Sequence, residues 1–300
     1  MPCPIRSFVL FMLLLSALAN GAEQQQAHWT QSYDAGHEDL KGAYAGGSEI
    51  MHIVSHKGKL YASNGYWVDA HWVIPPDGQK QSAQVLRLDS LAGKWQVDLD
   101  MGQSNDRELA YMKGNILKSV TFTRDASGKP LPSPENLLIM AAGANFERGG
   151  AVSSWTRNDK KNIWVHTLVR HGSSVGGIRW VPRDMEVYRD KKTGIERIFL
   201  SLGNPGIVSG VYDPTTPGKI RWSKHLEFPF PEGGSLHTRP LGIVQANGSL
   251  LFSEGGAIFR RVDGEKPRYE KIIDLNEDTD TDVGGIRGLT VIDNPQGKGQ

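Results

Sequence analysis

The chain has 300 residues, with 34 Lys and Arg against 33 Asp and Glu, a formal net charge of +1, and 38% hydrophobic residues. That is enough chain to bury one large core or two ordinary ones, and neither the charge nor the apolar content is that of a disordered chain. The charge balance argues against a general nucleic-acid binder, which carries a basic excess.

Residues 1–22 read as a secretory signal peptide. Arg6 gives the positive start, FVLFMLLL from Phe8 is an apolar run, and Ala17 and Ala19 form an A-x-A cleavage site. The run falls short of the ~20 residues that span a bilayer, so no membrane span is expected after cleavage. The only cysteine, Cys3, lies inside this segment, leaving the mature chain without thiolate, disulfide or thiolate-metal chemistry. An exported chain without disulfides relies on its core, which points to a secreted or periplasmic bacterial protein. Residues 23–45 are a polar lead-in or closing strand.

From residue 46 the chain is a succession of short apolar or alternating runs separated by Gly, Asp, Asn, Pro and Lys, a many-stranded β pattern. The runs recur in fours. The first set is EIMHIVSH from Glu49, KLYASNGYW from Lys59, AQVLRLDS from Ala83 and WQVDLDM from Trp95. The second is ILKSVTFT from Ile116, ENLLIMAAG from Glu135, GAVSSWTR from Gly150 and IWVHTLV from Ile163. The third is RDMEVYRD from Arg183, ERIFLSLG from Glu196, GIVSGVYD from Gly206 and KIRWSKHLEF from Lys219. The fourth is RPLGIVQA from Arg239, SLLFSE from Ser249, GAIFRRVD from Gly256 and RYEKIIDL from Arg268, and IRGLTVID from Ile286 opens a fifth. First strands end in polar turns such as Asn247-Gly248, with a longer one, Asp125 to Pro134, in the second set. Four antiparallel strands per repeat predict an all-β protein, a β-propeller over residues 46–300 with four complete blades and the start of a fifth. On this reading the sequence is a truncated piece of a longer ring. A β-sandwich or a parallel β-helix is the alternative.

In a propeller, the fourth-to-first and second-to-third loops share one face. The turns of the opposite face are almost all Gly, Asp, Asn, Lys and Pro. The first face instead carries Tyr66, Trp67, His71 and Trp72 in one loop, Arg148 in another, and His171, Arg179, Trp180 and His237 elsewhere. Turns need neither Trp nor His, so this concentration marks a binding surface, the alternative being caps over the core. Lys118, Arg183, Arg239 and Arg287 fall at the starts of successive channel strands, with Glu49 at that place in the first set. Converging cations would form a basic funnel for an anionic ligand, unless each pairs across blades. Asp274, Asn276, Asp278 and Asp280 alternate oxygens as a calcium loop does, without the Gly and closing Glu of an EF-hand. They are a candidate structural Ca2+ site or a solvated acidic loop, and no other cofactor is expected. No G-x-S-x-G or H-E-x-x-H occurs.

The segments GGSEIMHIVSHKGKLYASNGYW and GGIRGLTVI resemble the blades of exported bacterial propellers, among them the ulvan lyase-type polysaccharide lyases. The resemblance is at the level of the fold over residues 46–300, and no catalytic residue matches position by position. It implies binding of an acidic polysaccharide in the loop-face cleft, with an Arg neutralising the uronate and His and Tyr handling the proton. On that reading, Arg183 or Arg239 would neutralise the carboxylate for β-elimination and His171 or His71 would act as base or acid, while Tyr66, Trp67 and Trp72 would stack on sugar rings. Lys118, Arg148, Arg179, His237 and Arg287 would complete the binding face. A non-catalytic protein- or glycan-binding module and a cofactor-dependent sugar oxidoreductase are the alternatives.

Overall fold

The structure is a computed structural model that describes residues 30–66, 82–103, 111, 113–146, 149–172, 180–229, 240–275 and 285–300. Met1–Tyr33 and Asp34–Gln300 are separate compact units, and the signal segment lies outside the described residues. All the described strands belong to the second unit.

A two-residue pair, β1 (His37–Glu38) and β2 (Tyr44–Ala45), opens it. Gln84 fastens this lead-in to the first sheet. Its side chain accepts from Gly46 N at 3.0 Å and donates to Tyr44 O at 2.8 Å, while its own N–H donates to Asn64 Oδ1 at 2.7 Å.

Four four-stranded antiparallel sheets follow, each a meander in chain order. The first is β3 (Glu49–His56), β4 (Lys59–Gly65), β5 (Gln84–Leu88) and β6 (Gln96–Asp100). The second is β7 (Ile116–Arg124), β8 (Pro130–Phe146), β9 (Gly149–Asn158) and β10 (Ile163–Gly172). The third is β11 (Met185–Arg189), β12 (Glu196–Ser201), β13 (Gly206–Tyr212) and β14 (Ile220–Pro229). The fourth is β15 (Pro240–Ala246), β16 (Ser249–Glu254), β17 (Ala257–Val262) and β18 (Arg268–Asp274). The predicted strands and grouping agree with these sheets. The first strands β3, β7, β11 and β15 pack against one another in succession, and this is the blade arrangement of a β-propeller.

Alternation along the strands explains the stacking. Leu137, Ile139 and Ala141 of β8 enter a core shared with Ile198, Leu200 and Val208 of the third sheet. Leu138, Met140 and Ala142 enter a core shared with Tyr61 and Val85 of the first. Successive side chains of a strand point to opposite faces, so an unbroken apolar run marks a sheet covered on both sides. Phe199 of β12 likewise joins Phe252 of the fourth sheet, while its neighbours Ile198 and Leu200 face the second.

Two seams also carry a repeated ionic clamp at the turn end. Arg157 of β9 donates to Asp98 of β6 (2.8 Å) and to Asp159 (2.8 Å), and lies 5.3 Å over the Tyr61 ring of β4. His56, closing β3, contacts Asp159 at 3.1 Å. Between the third and fourth sheets, Arg261 of β17 pairs with Glu227 of β14 (2.9 Å) and Asp263 (2.6 Å), and lies 5.5 Å over Phe199. Tyr188 of β11 donates to Asp263 at 2.6 Å. In each case an Arg-x-Asp at the end of a third strand reaches the fourth strand of the preceding sheet. The third sheet has Val211 before Asp213 instead. There Glu196 accepts the N–H groups of Thr123 (2.5 Å) and Arg124 (3.0 Å) across the seam.

Two boundaries differ from expectation. The turn expected over Asp125 to Pro134 closes by Lys129, because Asp125 Oδ1 accepts from Ser127 N and Lys129 N and lets β8 begin at Pro130. Residues 286–293, expected to open a fifth set, carry no strand. No described segment pairs with them as a ladder, and they are held instead by single bonds from Ile286 N to Gly255 O (2.9 Å) and Ser253 Oγ to Ile286 O (2.8 Å). Among the described residues no helix is long and apolar enough to cross a membrane.

Candidate functional site

The first strands run from the loop-bearing end toward the turn end, so the starts of β3, β7, β11 and β15, neighbours in succession, lie together at that end as its mouth. Between β7, β11 and β15 lies a groove of about 400 Å³ lined by Lys118, Ser119, Thr121, Glu186, Arg189 and Gln245, among others. Hydroxyls, an amide and charges of both signs therefore face one concave space.

Thr123, Arg189, Glu196 and Gln245 carry the groove toward the turn end, while Lys118 and Glu186, nearest the loop-bearing end, belong to a compact cluster. Lys118 Nζ donates to Glu186 Oε2 and to Met185 O, both at 2.7 Å, and stands 3.5 Å from Asp184 Oδ1. Asp184 is fixed in turn by the N–H groups of Met185 and Ile243, each at 2.8 Å, so it ties β11 to β15. Burial works against the Lys118 ammonium, but Asp184 and Glu186 outweigh it and raise its pKa. His52, on β3, is the fourth member. A bulge at Met51 shifts the register between Ile50 and His52. Burial pushes the imidazole below its ordinary pKa, with the Asp184 charge opposing, so His52 is neutral at physiological pH. Glu49, at the loop end of β3, has Oε1 buried without a hydrogen-bond partner among the described residues.

This geometry corrects the basic funnel. Lys118 is outnumbered by two carboxylates, so with His52 neutral the four-residue cluster is net negative and not a basic funnel. Arg183 is half-buried just before β11, and Arg287 is exposed. Arg239 lies outside the described residues, as do Trp67, His71, Trp72, Arg148, Arg179, His237, Asn276, Asp278 and Asp280.

The other expected residues are not brought to the mouth. His171 is exposed on β10, the edge strand of its sheet, three strands from β7. At the ordinary strand spacing that is roughly 14 Å away. Tyr66 is 5% exposed, a buried side chain rather than an open stacking platform. Asp274 pairs with Lys271 at 2.6 Å, and no group of three metal-ligating side chains occurs among the described residues. Trp180 is a core cap. Its indole lies so close over Gly150 and Gly172 that a β-carbon there would come within 1.7 and 1.8 Å of ring atoms. The sequence did offer one overlooked signal: Glu254, an acid that closes the strand SLLFSE two residues after its apolar run Leu250 to Phe252.

No protein-family model matches the chain, and no curated protein does. Among solved structures, the α-L-arabinofuranosidase Arb93A from Fusarium graminearum aligns over 76% of this chain and 67% of its own, at 10% identity and TM-score 0.43. An α-L-arabinanase of Penicillium chrysogenum aligns over 72% of this chain at 11% identity and TM-score 0.41. The match spans 63% of that enzyme, less than two thirds of its length. CoXyl43, a β-xylosidase/α-arabinofuranosidase from a compost microbial metagenome, aligns over 84% of this chain and 93% of its own, at 13% identity and TM-score 0.38. The chemistry of the site rests on its own residues.

Proposed function

We propose that this chain is an exported carbohydrate-binding propeller whose ligand enters at the loop-bearing end and is held at the channel mouth. The observation that carries the reading is the Lys118–Glu186–Asp184–His52 cluster at the head of a polar groove. A sugar hydroxyl both donates and accepts, so a lining of hydroxyl, amide and carboxylates partly offset by Lys118 suits a polyhydroxylated ligand. Trp67 and Trp72 of the loop that follows Tyr66 would add the flat apolar surface that sugar rings stack on.

A second reading, β-elimination from a uronate, is favoured by Arg183 at the same mouth and by the neutral imidazole of His52. It requires an Arg to neutralise the uronate and a base with pKa near the working pH. With Lys118 already neutralised, selectivity for acidic sugars falls to Arg183 and to the loop arginines Arg148, Arg179 and Arg239.

Calorimetric titration with neutral and uronate-containing oligosaccharides tests both. Binding that weakens roughly tenfold or more in Lys118→Met supports the site. Failure of both ligand classes to bind the folded wild-type protein overturns it. Ultraviolet absorbance from an unsaturated product, lost in His52→Ala, would establish elimination, and binding without product would leave a non-catalytic module.

A further inference from the structure

We propose that Glu254 is a ligand-contacting acid at the loop-bearing end of the seam between the third and fourth sheets, where its carboxyl O–H donates a hydrogen bond to an oxygen of a bound sugar. The proposal rests on the carbohydrate reading above and adds a second contact region, on β16 rather than among the strands that line the groove.

Its place follows from the register. Glu254 is the last residue of β16, opposite Pro240 of β15 and Ala257 of β17. It shares a strand face with Phe252, two residues earlier, which packs with Phe199 and Ile207 of the third sheet. Ser201 of that sheet donates to Pro240 O at 2.8 Å, closing the seam beside it. The carboxyl thus stands at the loop end of an apolar seam whose turn end is held by Arg261. It is 9% exposed, and no hydrogen bond or ion pair satisfies it among the described residues. Every other buried acid of this seam is matched. Asp190 and Glu227 take Arg261, and Asp263 takes Arg261 and Tyr188.

An acid buried without a partner is costly to the fold, and such groups collect where a ligand is meant to complete them. The register neighbours Pro240 and Ala257 and the seam residues Ser201, Phe199 and Ile207 carry no charge, and Arg287 on the adjoining segment is exposed. Burial alone pushes the Glu254 carboxyl up to about 7. Near neutrality it is therefore largely a carboxylic acid, a donor as well as an acceptor, which suits a hydroxyl or ring oxygen and not an anion.

The test is calorimetric titration of the full chain with the neutral oligosaccharide it binds best, from about pH 5 to about pH 9. Wild type, Glu254→Gln, Glu254→Leu and Lys118→Met are compared, with thermal melts to show that each is folded. Wild-type affinity is expected to fall roughly tenfold as pH rises through the Glu254 transition. Glu254→Gln, which keeps an uncharged donor, should hold its affinity across the range, and Glu254→Leu should bind weakly throughout. Affinity and pH profile unchanged in folded Glu254→Leu would overturn the proposal while leaving the groove, read by Lys118→Met, intact. Absence of any glycan binding by wild type would overturn both.

Discussion

Arg157 Nε donates to Asp98 Oδ2 at 2.8 Å across the seam between the first and second sheets, with both side chains less than a tenth exposed. The same Arg-x-Asp arrangement recurs with Arg261 and Glu227 two blades later. Removing one partner of a buried pair leaves the other charge stranded. Arg261→Ala should therefore lower the unfolding free energy by about 3–5 kcal/mol. Arg157→Ala should cost less, because Asp98 keeps Arg87 and the Trp164 indole N–H. Urea denaturation of the two variants measures the difference, and equal losses would refute the argument.

The fit of Trp180 over Gly150 leaves no room for a methyl group, since its Cδ1 would lie 1.7 Å from an added β-carbon. Gly150→Ala should destabilise by about 1–3 kcal/mol through overpacking. Trp180→Ala should cost about 3–5 kcal/mol alone. The double variant should cost clearly less than the sum, because the clash is gone once the indole is removed. Additive losses in chemical denaturation would mean that the two residues do not press on each other.

Two carboxylates make the fold acid-sensitive. Burial opposes the Asp190 charge, but Arg261 and the N–H groups of Thr193, Gly264 and Lys192 hold it down to about 2. Burial likewise opposes Asp159, which Lys57, His56 and Arg157 also bring to about 2. The unfolded chain takes up these protons nearer 3.8, so the stabilisation is complete above that pH and disappears as pH falls toward 2. For Asp190 it amounts to about 2 kcal/mol. Asp190→Asn should be less stable than wild type at neutral pH and lose less on acidification, as read from melting temperatures between about pH 5 and about pH 2.

Glu254 gives the opposite slope. Its folded pKa of about 7 lies above the ordinary 4.5, so its favourable contribution is complete below 4.5 and is lost as pH rises through 7. Glu254→Gln should flatten that part of the stability profile and be more stable than wild type at about pH 8 by on the order of 2–3 kcal/mol, read as a higher melting temperature. An unchanged melting curve at alkaline pH would show that the carboxyl is not held in its buried, neutral state.

Strand positions were legible because turn chemistry is local. Lys57-Gly58 and Asn247-Gly248 take positive φ at both residues, as two-residue hairpins require, and both stand out in the sequence. The blade stacking was legible for a related reason, since LLIMAA in β8 is apolar on both faces. The seam clamps were not recognised, although Arg87-Leu88-Asp89, Arg157-Asn158-Asp159 and Arg261-Val262-Asp263 repeat the same pattern. Their partners lie on other blades, and only the register shows which acids they meet. The channel mouth was half legible. Lys118 was found as a cation, but Asp184 and Glu186, which neutralise it, lie 66 and 68 residues away. His171 falls on a strand and not in the expected loop because β10 runs through Gly172, three residues past the end of IWVHTLV.

The clamps built on Arg157 and Arg261 sit at the end of two of the three described seams, opposite the long connections. At those two seams the turn rim adds its own ionic cohesion to the shared apolar cores, whatever the other rim displays. Insertions or rewritten residues in the long connections can accumulate without loosening the scaffold, which lets a single framework be refitted for new ligands by changes confined to one side.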